Sequence, residues 1–346
     1  MKLKNINIAE RMNHYQVAGL SLAIIEDGQI SKTQNYGVKE FGRDQSIHSN
    51  TVFNACSVSK FSTSMLVMCL ASEGLLDLDK DVNEILISLK LPDHHRHTRR
   101  RKVTLRNLLC HQSGIIDPED SFLDLKSNDE VPSALDLLKG RTNYCKQPIE
   151  VNYEPGSDFH YTDAGFCLIQ QVIEDVMQQP FIDIMQERIL EPLKMGKSSF
   201  ISSKAEAKEK GVSCGHNKEG SLVEEGYPIY PYPACSGLWT SSTDLATLVI
   251  ELMNSLKRQS KIGLSASLAQ EMIQSQGYKS WAGLGMFLDE VDEEVEISSL
   301  GWGEGFQCMM VGFPYQGTGL TVMTNTNLGV HQLKGIIGEI YQSMKL

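Results

Sequence analysis

The sequence predicts an α+β fold: an antiparallel sheet built from both ends of the chain and flanked by helices, with a mostly helical region inserted between. Three observations lead there. Residues 17–36 read as a β-hairpin, four short β-type runs crowd residues 284–324, and most of the helical periodicity lies between residues 55 and 275. The 346 residues are thus expected to form one unit, with a sheet part from 1–54 and 276–346 and a helical part over 55–275.

Residues 1–12 lack the apolar core of a secretory leader and read as an amphipathic helix packed on the domain. Residues 17–25, the turn Glu26-Asp27-Gly28 and residues 29–36 give the hairpin. Residues 53–71 read as one amphipathic helix, stopped by Glu73-Gly74. Toward the end, residues 284–288, 295–300, 306–313 and 320–324 read as strands, and 330–344 as a closing helix. The acidic run 289–296 is expected to be an exposed hairpin, and the basic run 94–102 a solvated loop.

Composition narrows the function classes. A net charge of −11 disfavours nucleic acid as a partner, because neutralising phosphates calls for a basic surface. No apolar stretch is long enough to span a membrane. Eight cysteines at irregular distances, with no Cys-x-x-Cys, read as buried reduced thiols and carry no metal-ligand spacing. They suit a cytoplasmic protein, or a secreted or periplasmic one if a leader has been removed.

The chemistry begins at Ser57-Val58-Ser59-Lys60. At a spacing of i to i+3 near a helix start, the Lys60 ammonium can reach the Ser57 hydroxyl, and the first N–H groups of the helix add a positive field. A serine hydroxyl becomes a nucleophile when a neighbour takes its proton or favours its alkoxide. No Gly-x-Ser-x-Gly elbow appears, so His111, His160, His216 and His331 do not suggest a Ser-His triad. His111 reads as structural, and His160 adjoins Tyr161 where it could line a cleft.

Further stretches occur in a fixed order: Thr51 to Lys60, Glu73 to Val82, Val103 to Ile115, Glu154 to Phe166, and Ser236 to Leu245. Together they resemble the serine β-lactamase and penicillin-binding protein superfamily, in its class C-like branch, which also holds D-amino-acid peptidases and esterases. The resemblance implies a cleft between sheet and helices. It also implies Ser57, Lys60 and Tyr161 as catalytic residues, with Tyr161 shuttling the proton between nucleophile and leaving group. Positive charge from Lys60 would then have to favour the Tyr161 phenolate for it to act as a base. Asp163 stands where the family usually has asparagine, and an ionised aspartate only accepts hydrogen bonds. It is expected to hold Lys60 as a salt-bridged cation, or to sit protonated.

The family's third signature, a Lys or His followed by a strand glycine, is matched best by Ser299-Leu300-Gly301-Trp302, ending in Glu304-Gly305-Phe306. Ser299 replaces the cation that grips a substrate carboxylate. The resemblance places the oxyanion between the N–H groups of Ser57 and Trp302, with Trp302 as a wall for an acyl group or a filler of the domain junction. Substrate-binding candidates are therefore Asp163, Ser299, Gly301 and Trp302. The expected activity is that of a serine hydrolase working through an acyl-enzyme on Ser57, acting on an ester, amide or β-lactam. The missing cation shifts weight toward uncharged esters or amides. The alternative is a degenerate scaffold that binds a ligand or partner without turnover. No cofactor and no metal are expected, and the partner is a small molecule or short peptide.

Overall fold

The apolar run at residues 20–25 folds into strand β1 (Gly19–Glu26), which turns through Asp27 and Gly28, both at positive φ, into β2 (Gln29–Gly37). Two left-handed residues in a two-residue turn match the twist of a tight hairpin, which is why Asp-Gly sits there. The structure is a computed structural model and describes residues 6–92, 102–126 and 129–344. The basic run predicted as a loop lies outside these residues, Lys102 excepted.

Three short strands, β3 (Phe53–Asn54), β4 (Ser199–Phe200) and β5 (Leu238–Thr240), make a small sheet in the order β3-β5-β4. The C-terminal part supplies β6 (Phe287–Val291), β7 (Glu294–Gly303), β8 (Phe306–Phe313) and β9 (Thr318–Thr324). With the first hairpin they form a six-stranded antiparallel sheet in the order β2-β1-β9-β8-β7-β6. The two ends of the chain meet where β1 pairs with β9, Leu20 opposite Thr324 through Ile25 opposite Gly319. The α+β class and the two-ended sheet are thus as the sequence predicts.

Strand alternation sorts side chains between two layers. Leu20, Leu22 and Ile24 share a core with Ile8 and Met12 of the N-terminal helix (Ile8–Tyr15) and Ile336, Ile337 and Ile340 of the C-terminal helix (Ile336–Met344). Ala23 and Ile25 face the opposite core, with Met310 and Met323. There the helix Ser242–Leu256 packs on the sheet, Ser242 Oγ lying 2.7 Å from Ser21 Oγ. The terminal helices are joined by Arg11, whose Nε lies 2.6 Å from Glu339.

The closing helix is shorter than expected, since residues 332–334 form a separate 3₁₀ turn. The strand expected over 284–288 starts later, because Gly283 N–H donates to Met286 O and holds residues 282–287 in a tight loop. The acidic run does form a hairpin, but Glu296 is buried and accepts the Tyr341 hydroxyl at 2.6 Å. All eight cysteines are free and buried.

The helix after Ser57 is not amphipathic. It runs Ser59–Ser72 with every residue from Ser59 to Leu70 buried, the environment of a central helix rather than a surface one. Its hydroxyls bond backbone carbonyls in place of water: Ser59 to Cys56 O, Ser62 to Ser59 O, Thr63 to Ala234 O and Ser64 to Lys60 O.

Candidate active site

Ser57 does not lie within the long helix but in the 3₁₀ turn Cys56–Val58 at its start. Strand β3 runs straight into this turn, and Ala55 N–H donates to Leu238 O of β5. Cys56 has φ +46, a conformation uncommon for a side-chain-bearing residue, and the Asn54 carboxamide oxygen holds its N–H at 2.7 Å. The backbone beside Ser57 is therefore fixed from both sides.

Lys60 is 3 % exposed. Its Nζ lies 3.3 Å from Ser57 Oγ, 3.1 Å from Cys235 O and 2.5 Å from Asp163 Oδ1. Burial disfavours the ammonium, but the surrounding charge, Asp163 foremost, outweighs it and holds the Lys60 pKa well above its ordinary value. Lys60 is a paired cation, the first of the two states expected from Asp163. Its contact with Cys235 explains the stretch that begins at Ser236: this loop carries the carbonyl for Lys60, and Leu238 N–H donates to Ser59 Oγ.

Tyr161 leaves 44 % of its surface in solvent, yet it lines the cavity beside Ser57, and Lys60 Nζ lies 4.9 Å from its ring centroid. A tyrosine acting as a resident base would need a phenolate, and the surroundings of Tyr161 disfavour it. Desolvation raises the Tyr161 pKa; Lys60 lowers it, Asp163 opposes Lys60, and the net displacement is upward. The phenol stays protonated chiefly because burial disfavours the phenolate, with Asp163 offsetting part of the Lys60 field.

His111 has the structural role expected of it, and Asp117, which no motif marks, acts beside it; together they position Tyr161. The His111 ring stacks on Tyr161 with centroids 4.3 Å apart, its Nδ1 accepts the Thr162 N–H at 3.3 Å, and His111 O accepts the His160 N–H. Burial, then the charge of Lys60, lowers the His111 pKa to about 3, so the ring is neutral with its proton on Nε2. Asp117 accepts the Thr162 hydroxyl at 2.5 Å and the N–H groups of Asp163 and Ala164 at 2.8 and 2.9 Å. It caps the helix Asp163–Met177 and sets the angle at which Asp163 meets Lys60. No short motif marks Asp117, which lies well outside the Tyr161 signature.

The neutral buried His111 has a pH signature. Its folded pKa lies below the ordinary 6.5, so the unfolded chain binds its proton first as pH falls, and stability drops between about pH 6.5 and 3. Denaturant titrations of wild type and His111→Gln over that range are expected to show a shallower acid loss in the variant. Parallel curves would contradict the assignment.

On β7, Ser299 is buried and faces the cavity beside Ser57, while β6 pairs only as far as Ser298 and leaves the edge of 299–303 open. Gly301 lets this strand approach the nucleophile turn: a Cβ there would lie 2.3 Å from Ala55 O. Gly301→Ala is therefore expected to push β7 from Ser57 and lower kcat/KM for an ester about tenfold or more, since small misplacements of this kind are costly; unchanged kinetics would refute that role. Trp302 fills neither a core nor the cavity. It is 43 % exposed and donates from Nε1 to Asn327 Oδ1 at 2.9 Å. His160 stacks on Tyr153 and does not line the cavity.

Among the described residues, no group of His, Cys, Asp and Glu could hold a metal ion, and no helix is long and apolar enough to cross a membrane.

The six-stranded antiparallel sheet made from both chain ends, with helices on both faces and Ser57, Lys60 and Tyr161 gathered beside it, is that of a β-lactamase/transpeptidase-like fold. The beta-lactamase family model matches residues 6–336, and the chain belongs to that family. Among curated relatives, Protein flp of Staphylococcus aureus (strain MRSA252) is 24% identical over 320 residues, which is 90% of this chain and 60% of the relative. The teichoic acid D-alanine hydrolase of the same strain is 22% identical over 232 residues, 67% of this chain and 53% of the relative. The chain thus spans less than two thirds of the length of these relatives. Among solved structures, the octameric penicillin-binding protein homologue from Pyrococcus abyssi superposes with a TM-score of 0.77 at 24% identity, covering 98% of this chain and 76% of that one. The penicillin binding protein from Bacillus halodurans gives 0.75 at 18%, covering 98% of each.

Proposed function

We propose that the protein is a serine hydrolase that forms an acyl-enzyme on Ser57 and acts on uncharged esters or amides. The observation that carries this reading is the contact of Ser57 Oγ with Lys60 Nζ at 3.3 Å, with the same Nζ 4.9 Å from the Tyr161 ring centroid. Membership of the beta-lactamase family and the relative named teichoic acid D-alanine hydrolase support a hydrolase.

The protonation states suggest a relay rather than a resident base. Ser57 Oγ attacks the carbonyl carbon as its proton passes to the Tyr161 oxygen and the Tyr161 proton passes to the departing oxygen or nitrogen. The protonation of the enzyme is the same before and after. Lys60, held charged by Asp163, stabilises negative charge on Oγ and on the phenolic oxygen in transit. The N–H groups of Ser57 and Trp302 are assigned to the oxyanion, with Gly301 setting their approach. In the second half, water repeats the path in reverse and frees the acid. Asp163 and Ser299 bear on substrate choice: the first offers no amide donor, the second no cation.

Turnover of p-nitrophenyl acetate by wild type and Ser57→Ala tests the reading, with a loss of at least about 10³-fold expected in the variant. Equal rates would overturn it. A chromogenic cephalosporin and a D-Ala-D-Ala peptide are expected to react more slowly than the ester; a cephalosporin turned over much faster would contradict the argument from Ser299.

A further inference from the structure

We infer that Gln332, in the turn before the closing helix, is a positioning residue for the oxyanion, because it sets the direction of the Trp302 N–H. The role rests on the acyl-enzyme reading above and its assignment of that N–H. Gln332 is buried, and its Nε2 donates to Gly301 O at 2.8 Å. The Gly301 carbonyl and the Trp302 N–H belong to one planar trans peptide and point in opposite directions. Whatever holds the carbonyl therefore aims the N–H.

The strand register says which way each group points. The two-residue turn Glu304-Gly305 closes on Gly303 opposite Phe306, with Trp302 opposite Gln307 and Gly301 opposite Cys308. In an antiparallel ladder the closing pair exchanges both hydrogen bonds, the next pair exchanges none, and the one after does so again. Gly301 thus turns its polar groups toward β8, and Trp302 turns its N–H toward the edge that β6 leaves uncovered beyond Ser298. A carbonyl accepts two hydrogen bonds, so Gln332 adds to the ladder and does not compete with it. The added bond also polarises the peptide and strengthens the N–H as a donor.

One segment holds Trp302 by both its peptide and its ring. Asn327 Oδ1 accepts the Trp302 indole N–H and the Gly329 N–H, each at 2.9 Å, while Asn327 N–H donates to His216 O at 2.8 Å. Gln332 then opens the 3₁₀ turn Gln332–Lys334. This turn is seated from two sides: Gln307, opposite Trp302, donates from Nε2 to Val330 O at 2.7 Å, and a Cβ at Gly338 of the closing helix would lie 2.2 Å from Leu333 O. The amide of Gln332 is therefore presented to the strand from a fixed support.

Gln332→Met keeps the length of the side chain and removes the donor. Its kcat for p-nitrophenyl acetate is expected to fall about tenfold with KM within about twofold, since a misaimed oxyanion donor is felt in the transition state and not in ground-state binding. Phenylboronic acid, whose tetrahedral adduct on Ser57 puts an oxygen where the oxyanion forms, should bind about tenfold more weakly. The denaturant midpoint should stay close to that of wild type, because the ladder still satisfies the Gly301 carbonyl. A purely structural tie would lower the midpoint and leave kcat and the inhibition constant of the folded enzyme unchanged, and that result overturns the role. Asn327→Ala frees the indole and gives a second reading: kcat and the affinity for phenylboronic acid should fall together by about threefold, and unchanged values count against the inference. Failure of the hydrolase reading looks different. Turnover that survives in Ser57→Ala removes both, whereas Ser57-dependent turnover that Gln332→Met leaves intact removes the positioning role alone.

Discussion

Tyr161→Phe is expected to lower kcat/KM for ester hydrolysis by about 10²–10⁴-fold, the usual contribution of a positioned proton carrier. The phenylalanine ring can keep the stacking on His111 and leaves Lys60 paired with Asp163. Folding should survive, so the loss would report the missing hydroxyl. Because both the Tyr161 and Lys60 pKa values lie above their ordinary 10.0 and 10.5, neither group loses its proton across the neutral range. The relay therefore predicts no rise in kcat/KM with pH between about 6 and 9 from either residue. Steady-state rates over that range, for wild type and variant, decide the matter. A Tyr161→Phe enzyme within a few-fold of wild type would remove tyrosine from the mechanism, and a steep alkaline rise would restore a phenolate base.

Asp163→Ala is expected to be the most destabilising change at the site. It leaves the Lys60 ammonium, 3 % exposed, with only Ser57 Oγ and Cys235 O as hydrogen-bond partners. Removing one partner of a buried ion pair costs about 3–5 kcal/mol, mostly through the unpaired charge left behind. Asp163 itself is 24 % exposed, so water entering the gap brings the expected loss toward the lower end. Replacing both residues, Lys60→Met with Asp163→Ala, should recover most of the stability while leaving no activity. The pH sign is fixed by Lys60: a folded pKa raised above 10.5 contributes stability that is complete below that value and is lost as pH climbs toward the folded pKa. Denaturant midpoints for the two single variants and the double variant test this. A double variant as unstable as Asp163→Ala would show that the charge is not the cause.

The sequence carried the frame of the molecule and brought forward Ser57, Lys60 and Tyr161, which the structure places side by side. Strand alternation in residues 17–36 and 306–324 and the Asp27-Gly28 turn each depend on local backbone preference, which a sequence displays directly. The environment of the helix after Ser57 was not legible, because its serines and threonine mimic a polar face while bonding carbonyls inside the core. Asp117 and the Cys235 carbonyl were missed for a related reason: both act across large sequence separations, and a carbonyl has no side-chain signature. The Tyr161 protonation state depends on the balance of Lys60 against Asp163 under desolvation, a three-body quantity that only coordinates supply. Asp163 departs from the family pattern, and its pairing with Lys60 is the consequence expected from a residue that only accepts.

The most direct test of the central claim is to treat the protein with a fluorophosphonate probe and map the adduct by mass spectrometry. An adduct on the peptide bearing Ser57, absent from Ser57→Ala, is the predicted result. No adduct on Ser57, or equal labelling of the variant, would contradict the account.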